Sequence, residues 1–147
     1  MDRVRNFNFM LKDVSQLWRR HFEALAGQIG LTLTQARVLM YLSLHEGIRQ
    51  GDLAELCDTA PMTLVRVLDR MQREGLLERR ADPNDRRAYR LFLRPAADVV
   101  LVEIEHIGDQ ARTDALAGLS NQERIQLHSM LKTIKKNLGR KLRARCS

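Results

Sequence analysis

The arginines between residues 61 and 94 have the clearest chemical potential in this sequence. The stretch holds nine arginines against five acidic residues, and the whole chain carries a net charge of +7. Guanidinium groups bind phosphate and carboxylate through paired N–H donors, and so dense a cluster of like charges usually faces a polyanion. Charge alone does not separate a nucleic acid from an anionic membrane, so the pattern of residues has to distinguish them.

Residues that commonly perform catalysis or bind metals are scattered along the chain. The four histidines fall on separate predicted helices, without an adjacent nucleophile, a carboxylate pair or a glycine-rich phosphate loop. Cys57 and Cys146 form no CxxC motif and no Cys/His cluster with metal-ligand spacing. We therefore expect no enzymatic activity, no metal, no cofactor and no disulfide.

Composition and the first residues predict one globular domain in the cytoplasm. The chain has 147 residues, of which 44% are apolar and 29% charged, and these proportions are typical of a globular domain. No apolar run approaches the roughly 20 residues that span a bilayer. The opening MDRVRNFNFMLKD places charges where a secretory signal needs its apolar core. A membrane-surface role is disfavoured because the basic face lacks aromatic or leucine anchors.

Hydrophobic periodicity predicts a mainly helical chain with one β-hairpin. A long amphipathic helix starts near Phe7 and ends near Gly27 or Gly30, and a second helix has Thr34 as its N-cap and stops at Gly47. The remaining predicted elements are a short helix in QGDLAELCD, a helix in APMTLVRVLDRMQREG, strands at 76–81 and 89–93 around the turn tetrad DPND, and helices at 96–117 and 121–141.

The fourth predicted helix has two opposite faces. At 100° per residue, one side holds Leu64, Val67, Leu68 and Met71, and the other holds Thr63, Arg66, Arg70 and Arg73. The apolar side can pack while the arginine side enters a major groove. A short helix, a turn, a second helix and a basic hairpin follow one another in a winged helix-turn-helix. An ordinary solvated helix is the alternative, and the adjoining basic hairpin disfavours it.

The run DRMQREGLLERRADPNDRRAYRLFL, residues 69–93, resembles the signature of the MarR (multiple antibiotic resistance regulator) family. The family pattern is a "dRLe..GLi.R" stretch followed by a DxR wing tip, and its matches here are Asp69-Arg70-Met71, Gly75-Leu76-Leu77, Arg79 or Arg80, and Asp85-Arg86-Arg87. LTLTQARVLMYL and QGDLAELCD are similar to the family's second and third helices, so the likeness covers most of the chain. Val65 stands where relatives often carry Ser or Thr, and Ala60 stands where Ser is common.

The resemblance implies a mainly α fold with a small β-hairpin wing. Residues 1–147 would form a single MarR-type domain, in which a winged helix-turn-helix core at 31–94 is flanked by helical dimerisation regions at 1–30 and 95–147. A homodimer would place two recognition helices in successive major grooves of a palindromic double-stranded DNA operator, with the wings in flanking minor grooves, and would act there as a repressor. A non-enzymatic architectural or RNA-binding protein is the alternative for the same basic face.

The predicted DNA-contacting residues lie on the fourth helix and the hairpin. Arg66 can donate bidentately to guanine, and Thr63 is suited to a phosphate or a thymine methyl. By the resemblance, Arg87 enters the minor groove and Asp85 holds it, while Arg86 and Arg90 contact phosphates; a surface salt bridge between Asp85 and Arg87 is the alternative. The full predicted set is Ala60, Pro61, Met62, Thr63, Arg66, Arg70, Arg73, Asp85, Arg86, Arg87 and Arg90.

Two apolar seams predict dimerisation. The last helix carries Leu127, Leu131, Ile134, Leu138 and Leu142 at steps of three and four, and the first helix carries a stripe from Phe7 to Leu25. Packing of both seams within one monomer is the alternative, which the small size of the core disfavours.

The family often releases DNA when a small aromatic or phenolic acid binds between the dimerisation helices and the core. By that resemblance, Trp18, His21, Arg37 and His45 are candidate lining residues for an effector pocket, although Trp18 at helical spacing also suits a core position. Cys57 does not lie where the family's peroxide sensors hold their reactive thiol, so we expect it to be buried and inert.

Overall fold

The structure is a computed structural model that describes residues 6–145. It contains six helices and one hairpin within that range, in the predicted order, and Cys146 lies outside it. The elements are α1 (Phe7–Gln28), α2 (Leu33–Leu44), α3 (Gln50–Leu56), α4 (Pro61–Arg73), β1 (Leu77–Asp82), β2 (Asp85–Leu93), α5 (Ala97–Ala115) and α6 (Asn121–Arg145). The chain divides into two compact units, one extending to Ala111 and the other beginning at Arg112.

The core of the first unit is built around α2. Val38, Leu39 and Leu42 are fully buried. They belong to one cluster of buried residues contributed by α1 to α5 and both strands, which includes Phe22, Leu53, Leu64, Leu68, Met71, Leu77, Leu91 and Ile104. This apolar burial is the main driving force that fixes α3, α4 and the hairpin against α2.

The start of α2 differs from the predicted N-cap. Thr32, rather than Thr34, caps the helix: its hydroxyl accepts a hydrogen bond from the Gln35 backbone N–H at 3.2 Å, and the Gln35 side chain accepts one from the Thr32 N–H at 2.9 Å. A capping box needs Gln or Glu three residues after the cap, and Gln35 meets that spacing for Thr32. Thr34 lies one residue inside the helix.

The hairpin has a tighter turn than predicted. β1 and β2 pair antiparallel from Leu77 with Leu93 to Asp82 with Asp85, with an irregularity after Ala81. Only Pro83 and Asn84 therefore form the turn, and β2 begins at Asp85 instead of Tyr89. Asp82 accepts a hydrogen bond from the Asn84 N–H at 2.9 Å, an Asx-type contact that shortens the loop.

The second unit consists of residues 112–145 as far as the structure describes them. Ser120 and Glu123 form a reciprocal cap at the start of α6, with N···O distances of 3.2 and 2.7 Å. No α6 residue of the described range is buried. Leu131, Leu138 and Leu142 of the predicted seam are exposed, and Leu127 and Ile134 are half-buried.

The first part of α1 also leaves its apolar stripe exposed. Phe7, Met10, Val14 and Leu17 are 46–63% exposed, whereas Phe22 and Leu25 are buried in the core.

In the part of the chain that the structure describes, no helix combines the length and apolarity required to cross a bilayer.

Candidate DNA-binding surface

The two faces predicted for α4 are present in the structure. Leu64, Leu68 and Met71 are fully buried. The polar face is exposed to solvent, and Met62 beside it is 70% exposed. Pro61 occupies the first turn and Ala60 supplies no side-chain cap, so the first N–H groups of α4 and the positive end of its dipole are available to an anion.

Three arginines lie on the exposed face of α4, and one of them is paired. Arg70 donates from Nε to the Glu74 carboxylate at 2.9 Å. No side-chain partner is found for Arg66 or Arg73 among residues 6–145. An unpaired guanidinium can bind a base or a phosphate without first breaking an internal contact, so Arg66 and Arg73 are the more available of the three.

Arg79 connects three elements of the core. Its guanidinium donates to Asp69 and Gln72 of α4, both at 2.8 Å, and to Gln50 of α3 at 3.1 Å. Its side chain is largely buried. These contacts join β1 to the two helices of the helix-turn-helix. The resemblance identified this position without indicating its partners.

Arg80, the next residue on β1, is also engaged. It donates to Glu78 at 2.7 Å from Nε, and its guanidinium carbon lies 3.9 Å from the centre of the Phe92 ring. Side chains alternate between the two faces of a strand, so Arg79 and Arg80 have different surroundings although they are adjacent in sequence.

Arg90 is a partly exposed residue of β2 whose guanidinium is hydrogen-bonded. Its guanidinium donates to Asp82 at 3.1 Å and to the Gly47 carbonyl at 3.2 Å. These two contacts favour a supporting role for Arg90, while the expected phosphate contact stays a prediction. The same Asp82 oxygen accepts a hydrogen bond from Arg49 at 3.0 Å, and sequence analysis did not identify this cluster because Arg49 is 33 residues away in the chain.

Asp82 is a buried carboxylate whose oxygens are fully engaged. Its pKa lies below the ordinary value of 3.8, first because of the Asn84 N–H and then because of the charges on Arg90 and Arg49, while burial acts in the opposite direction. The surrounding donors therefore keep Asp82 ionised.

The wing tip presents two arginines. Asp85 accepts a hydrogen bond from the backbone N–H of Arg87 at 3.0 Å, so its carboxylate shapes the turn and does not pair with the Arg87 guanidinium. Arg86 and Arg87 are exposed, and the described part of the chain contains no side-chain partner for either of them. Arg94, after β2, is likewise unpaired within this range.

An apolar cavity lies between α1, α2 and α5 within the first unit. Its volume is about 310 Å³, and its lining residues are Trp18, Phe22, Leu33, Arg37, Met40, Tyr41, Leu44 and Gly108. Trp18 and Arg37 thus line a cavity as predicted. His21 and His45 do not: His21 is exposed on α1, and His45 is an exposed residue at the end of α2.

Cys57 is buried at the end of α3. Burial raises the pKa of its thiol above the ordinary 9.0, and the charge of Arg37 partly opposes this shift. The expected buried position is confirmed, and a raised pKa disfavours the reactive thiolate.

Comparison with known proteins gives one consistent assignment. The MarR family model matches residues 31–89. A probable transcriptional regulator from Pseudomonas aeruginosa is 31% identical over 86% of this chain and 95% of its own, with a TM-score of 0.73. A MarR crystal structure is 24% identical, covers 95% of both chains and has a TM-score of 0.83. A mutant of MarR from E. coli, solved in complex with operator DNA, is 21% identical over 91% of this chain and 99% of its own, with a TM-score of 0.75.

The helix-turn-helix of α3 and α4, followed by an arginine-rich hairpin, defines a winged-helix DNA-binding protein. The chain belongs to the MarR family of transcriptional regulators. The family and the fold are those of regulators, which are not enzymes.

Proposed function

We propose that this protein represses transcription by binding a palindromic operator as a homodimer. The observation that carries the proposal is the set of unpaired arginines on α4 and at the wing tip. Unpaired guanidinium groups repel one another, and a DNA backbone offers the opposite charge. The complex of a related E. coli MarR mutant with operator DNA supports the same assignment.

In this proposal α4 is the recognition helix. Arg66 reads a guanine bidentately, and Met62 and Thr63 lie one turn earlier, where they can contact thymine methyl groups. Ala60 and Pro61 allow the start of the helix to approach a phosphate. Arg70 and Arg73 provide further phosphate contacts.

The wing contributes the flanking contacts. Arg87 enters the minor groove, where the narrow shape of A·T-rich DNA strengthens the attraction for an arginine. Arg86 binds phosphate and Asp85 keeps the tip in shape. Given its contacts with Asp82 and Gly47, Arg90 acts by supporting the hairpin.

We further propose that residues 31–94 form the DNA-binding core and that 1–30 and 95–147 form the dimerisation region. The exposed apolar residues of α1 and α6 support this division, because burying them against a second copy removes large apolar side chains from water. Two-fold symmetry of the dimer would match a palindromic site.

The cavity between α1, α2 and α5 is the proposed effector site. Its aromatic and aliphatic lining with one guanidinium, that of Arg37, suits a small aromatic or phenolic acid. Binding would release the operator if the acid favoured a dimer whose recognition helices no longer match successive grooves. Benzoate and salicylate at millimolar concentration are suitable probes in an operator-binding titration.

A matched pair of variants separates this effector site from general charge effects. Arg37→Ala should abolish the response to the acid while leaving operator binding intact. Arg20→Ala removes the same charge from an exposed position of α1 that does not line the cavity, and it should respond as the parent does. An unchanged response in Arg37→Ala would contradict the assignment.

The central experiment is selection of bound sites from a random duplex pool, followed by footprinting of the protein on the enriched sequence. We expect a palindrome whose half-sites lie about 10 base pairs apart or a multiple of that. Transcription from a promoter carrying this site should fall when the protein is added. Equal affinity for all duplexes, or a preference for RNA, would instead indicate the architectural or RNA-binding alternative.

A further inference from the structure

The base of the hairpin is fixed to the preceding chain by backbone hydrogen bonds. The Gly47 N–H donates to the Leu91 carbonyl at 2.8 Å, and the Leu91 N–H donates to the Ile48 carbonyl at 3.0 Å. Arg49 and Arg90 form an antiparallel β-bridge, which is the next backbone pairing toward the wing tip. The segment before α3 thus lies alongside β2 as far as Arg90.

Asp82 forms the contact nearest the tip. Its side chain is completely buried, and one of its oxygens receives both Arg49 and Arg90. All residues from Pro83 to Arg87 are exposed. Because Arg49 immediately precedes α3, the Asp82–Arg49 contact connects the end of β1 directly to the helix-turn-helix.

We propose that Asp82 is a positioning residue that holds the wing tip, and with it Arg87, at a set place relative to the helix-turn-helix. This inference rests on the proposed DNA-binding function. It assigns to Asp82 a role in the preference for flanking sequence, although Asp82 itself is buried and carries a negative charge that DNA would repel.

A small rotation of the hairpin would displace Arg87 by a large part of the minor-groove width. Arg87 lies four residues from Leu91, a distance of about 13 Å along a strand. If the hairpin pivots at its base by about 10°, Arg87 moves by about 2 Å, and the minor groove is only about 6 Å wide. Loss of the Asp82 contact therefore weakens minor-groove binding while leaving α4 in place.

The test compares Asp82→Asn with Glu78→Gln. Both variants remove one negative charge from β1, so long-range electrostatics favours DNA equally in both. Glu78 pairs with Arg80 of the same strand and connects no other element. The first measurement is the flank ratio, defined as the affinity for the selected operator with A·T flanks divided by the affinity for the same operator with G·C flanks. The second measurement is the affinity for an unrelated duplex.

We expect Asp82→Asn to reduce the flank ratio about tenfold, within the range for loss of a wing arginine in a dimer. Its affinity for the unrelated duplex should stay the same or rise, and Glu78→Gln should keep the parent ratio. A purely structural role would lower all affinities together or leave the ratio unchanged. A folded Asp82→Asn protein with the parent ratio overturns the proposal.

Arg49→Gln provides a second variant in case Asp82→Asn does not fold. Arg49 is partly exposed and its removal leaves Asp82 paired with Arg90, so the hairpin keeps its internal contact. We expect a reduction of the flank ratio of about threefold, and an unchanged ratio overturns the proposal. A parent protein that prefers no DNA sequence would contradict the proposed function, and this inference would fail with it. A parent protein that prefers its operator, together with variants that keep the parent flank ratio, would contradict the positioning role alone.

Discussion

Replacing Arg87 by alanine should weaken operator binding without affecting folding. The Arg87 guanidinium has no partner in the described chain, and the tip is shaped by the Asp85 contact to the Arg87 backbone, which alanine retains. We therefore expect the free energy of unfolding to change by less than about 0.5 kcal/mol. The whole cost should appear in binding.

The size of that cost follows from the number of wings. A base- or groove-contacting arginine contributes roughly 1–3 kcal/mol, and two wings per dimer give about 2–6 kcal/mol, which corresponds to a loss from roughly thirtyfold to over ten-thousandfold. Because two cations leave the complex, the salt dependence of log K should decrease by up to about 1.8. Fluorescence anisotropy titrations at two salt concentrations, on operators with A·T and G·C flanks, measure both quantities.

Arg80→Ala is the matched control for Arg87→Ala. It removes the same charge from the same hairpin, but the Arg80 guanidinium is already bound to Glu78 and lies over Phe92. We expect it to cost less than about 1 kcal/mol of operator affinity per wing, since only general attraction to DNA is lost. Equal losses of affinity in both variants would contradict the minor-groove role of Arg87. An Arg87→Ala protein that binds the A·T-flanked operator as tightly as the parent would also contradict it.

Three further predictions concern other parts of the molecule. Replacing operator thymines one at a time by deoxyuridine, which lacks the C5-methyl group, should weaken parent binding by about 0.8 kcal/mol at the position that Met62 contacts but should not weaken Met62→Ala there; identical deoxyuridine profiles would contradict the proposed methyl contact of Met62. Leu131→Glu should convert the proposed dimer to a monomer of 17.0 kDa in light scattering, and a parent protein that is already monomeric would remove the basis of the palindromic model. Because the pKa of Asp82 is lowered, the stability that its ionised carboxylate contributes is present above the ordinary value of 3.8 and is lost as the pH falls through the depressed pKa. In urea unfolding, the free energy of unfolding of the parent should therefore fall more steeply below about pH 4 than that of Asp82→Asn. Parallel pH dependences of the two proteins would refute this assignment.

The faces of α4 could be predicted from the sequence because they depend only on spacing along one helix. Leu64 and Leu68 are buried and Arg66 is exposed, as the 100° period requires. The ends of elements were less predictable. Thr32 and Thr34 are both suitable caps by residue type, and the reciprocal contact with Gln35 decides between them.

The roles of individual arginines could not be predicted in the same way, since their partners come from distant parts of the chain. Gln50 is 29 residues from Arg79, and Gly47 is 43 residues from Arg90. Neither contact leaves a local pattern in the sequence. The cavity between α1, α2 and α5 is similar: Trp18 and Arg37 line it, whereas His21 and His45, chosen from the same neighbourhood, do not.

The balance of charges between residues 61 and 94 nevertheless explains why some arginines there have no acidic partner. Four of its five acidic residues pair with one arginine each within the region, namely Asp69 with Arg79, Glu74 with Arg70, Glu78 with Arg80 and Asp82 with Arg90. Asp85 uses its carboxylate for a backbone N–H instead. Of the nine arginines, this leaves Arg66, Arg73, Arg86, Arg87 and Arg94. Composition thus predicts a surplus of cations, and the fold determines which of them remain unpaired. A variant that removes a paired arginine therefore tests the architecture, and a variant that removes an unpaired one tests the proposed DNA-binding surface.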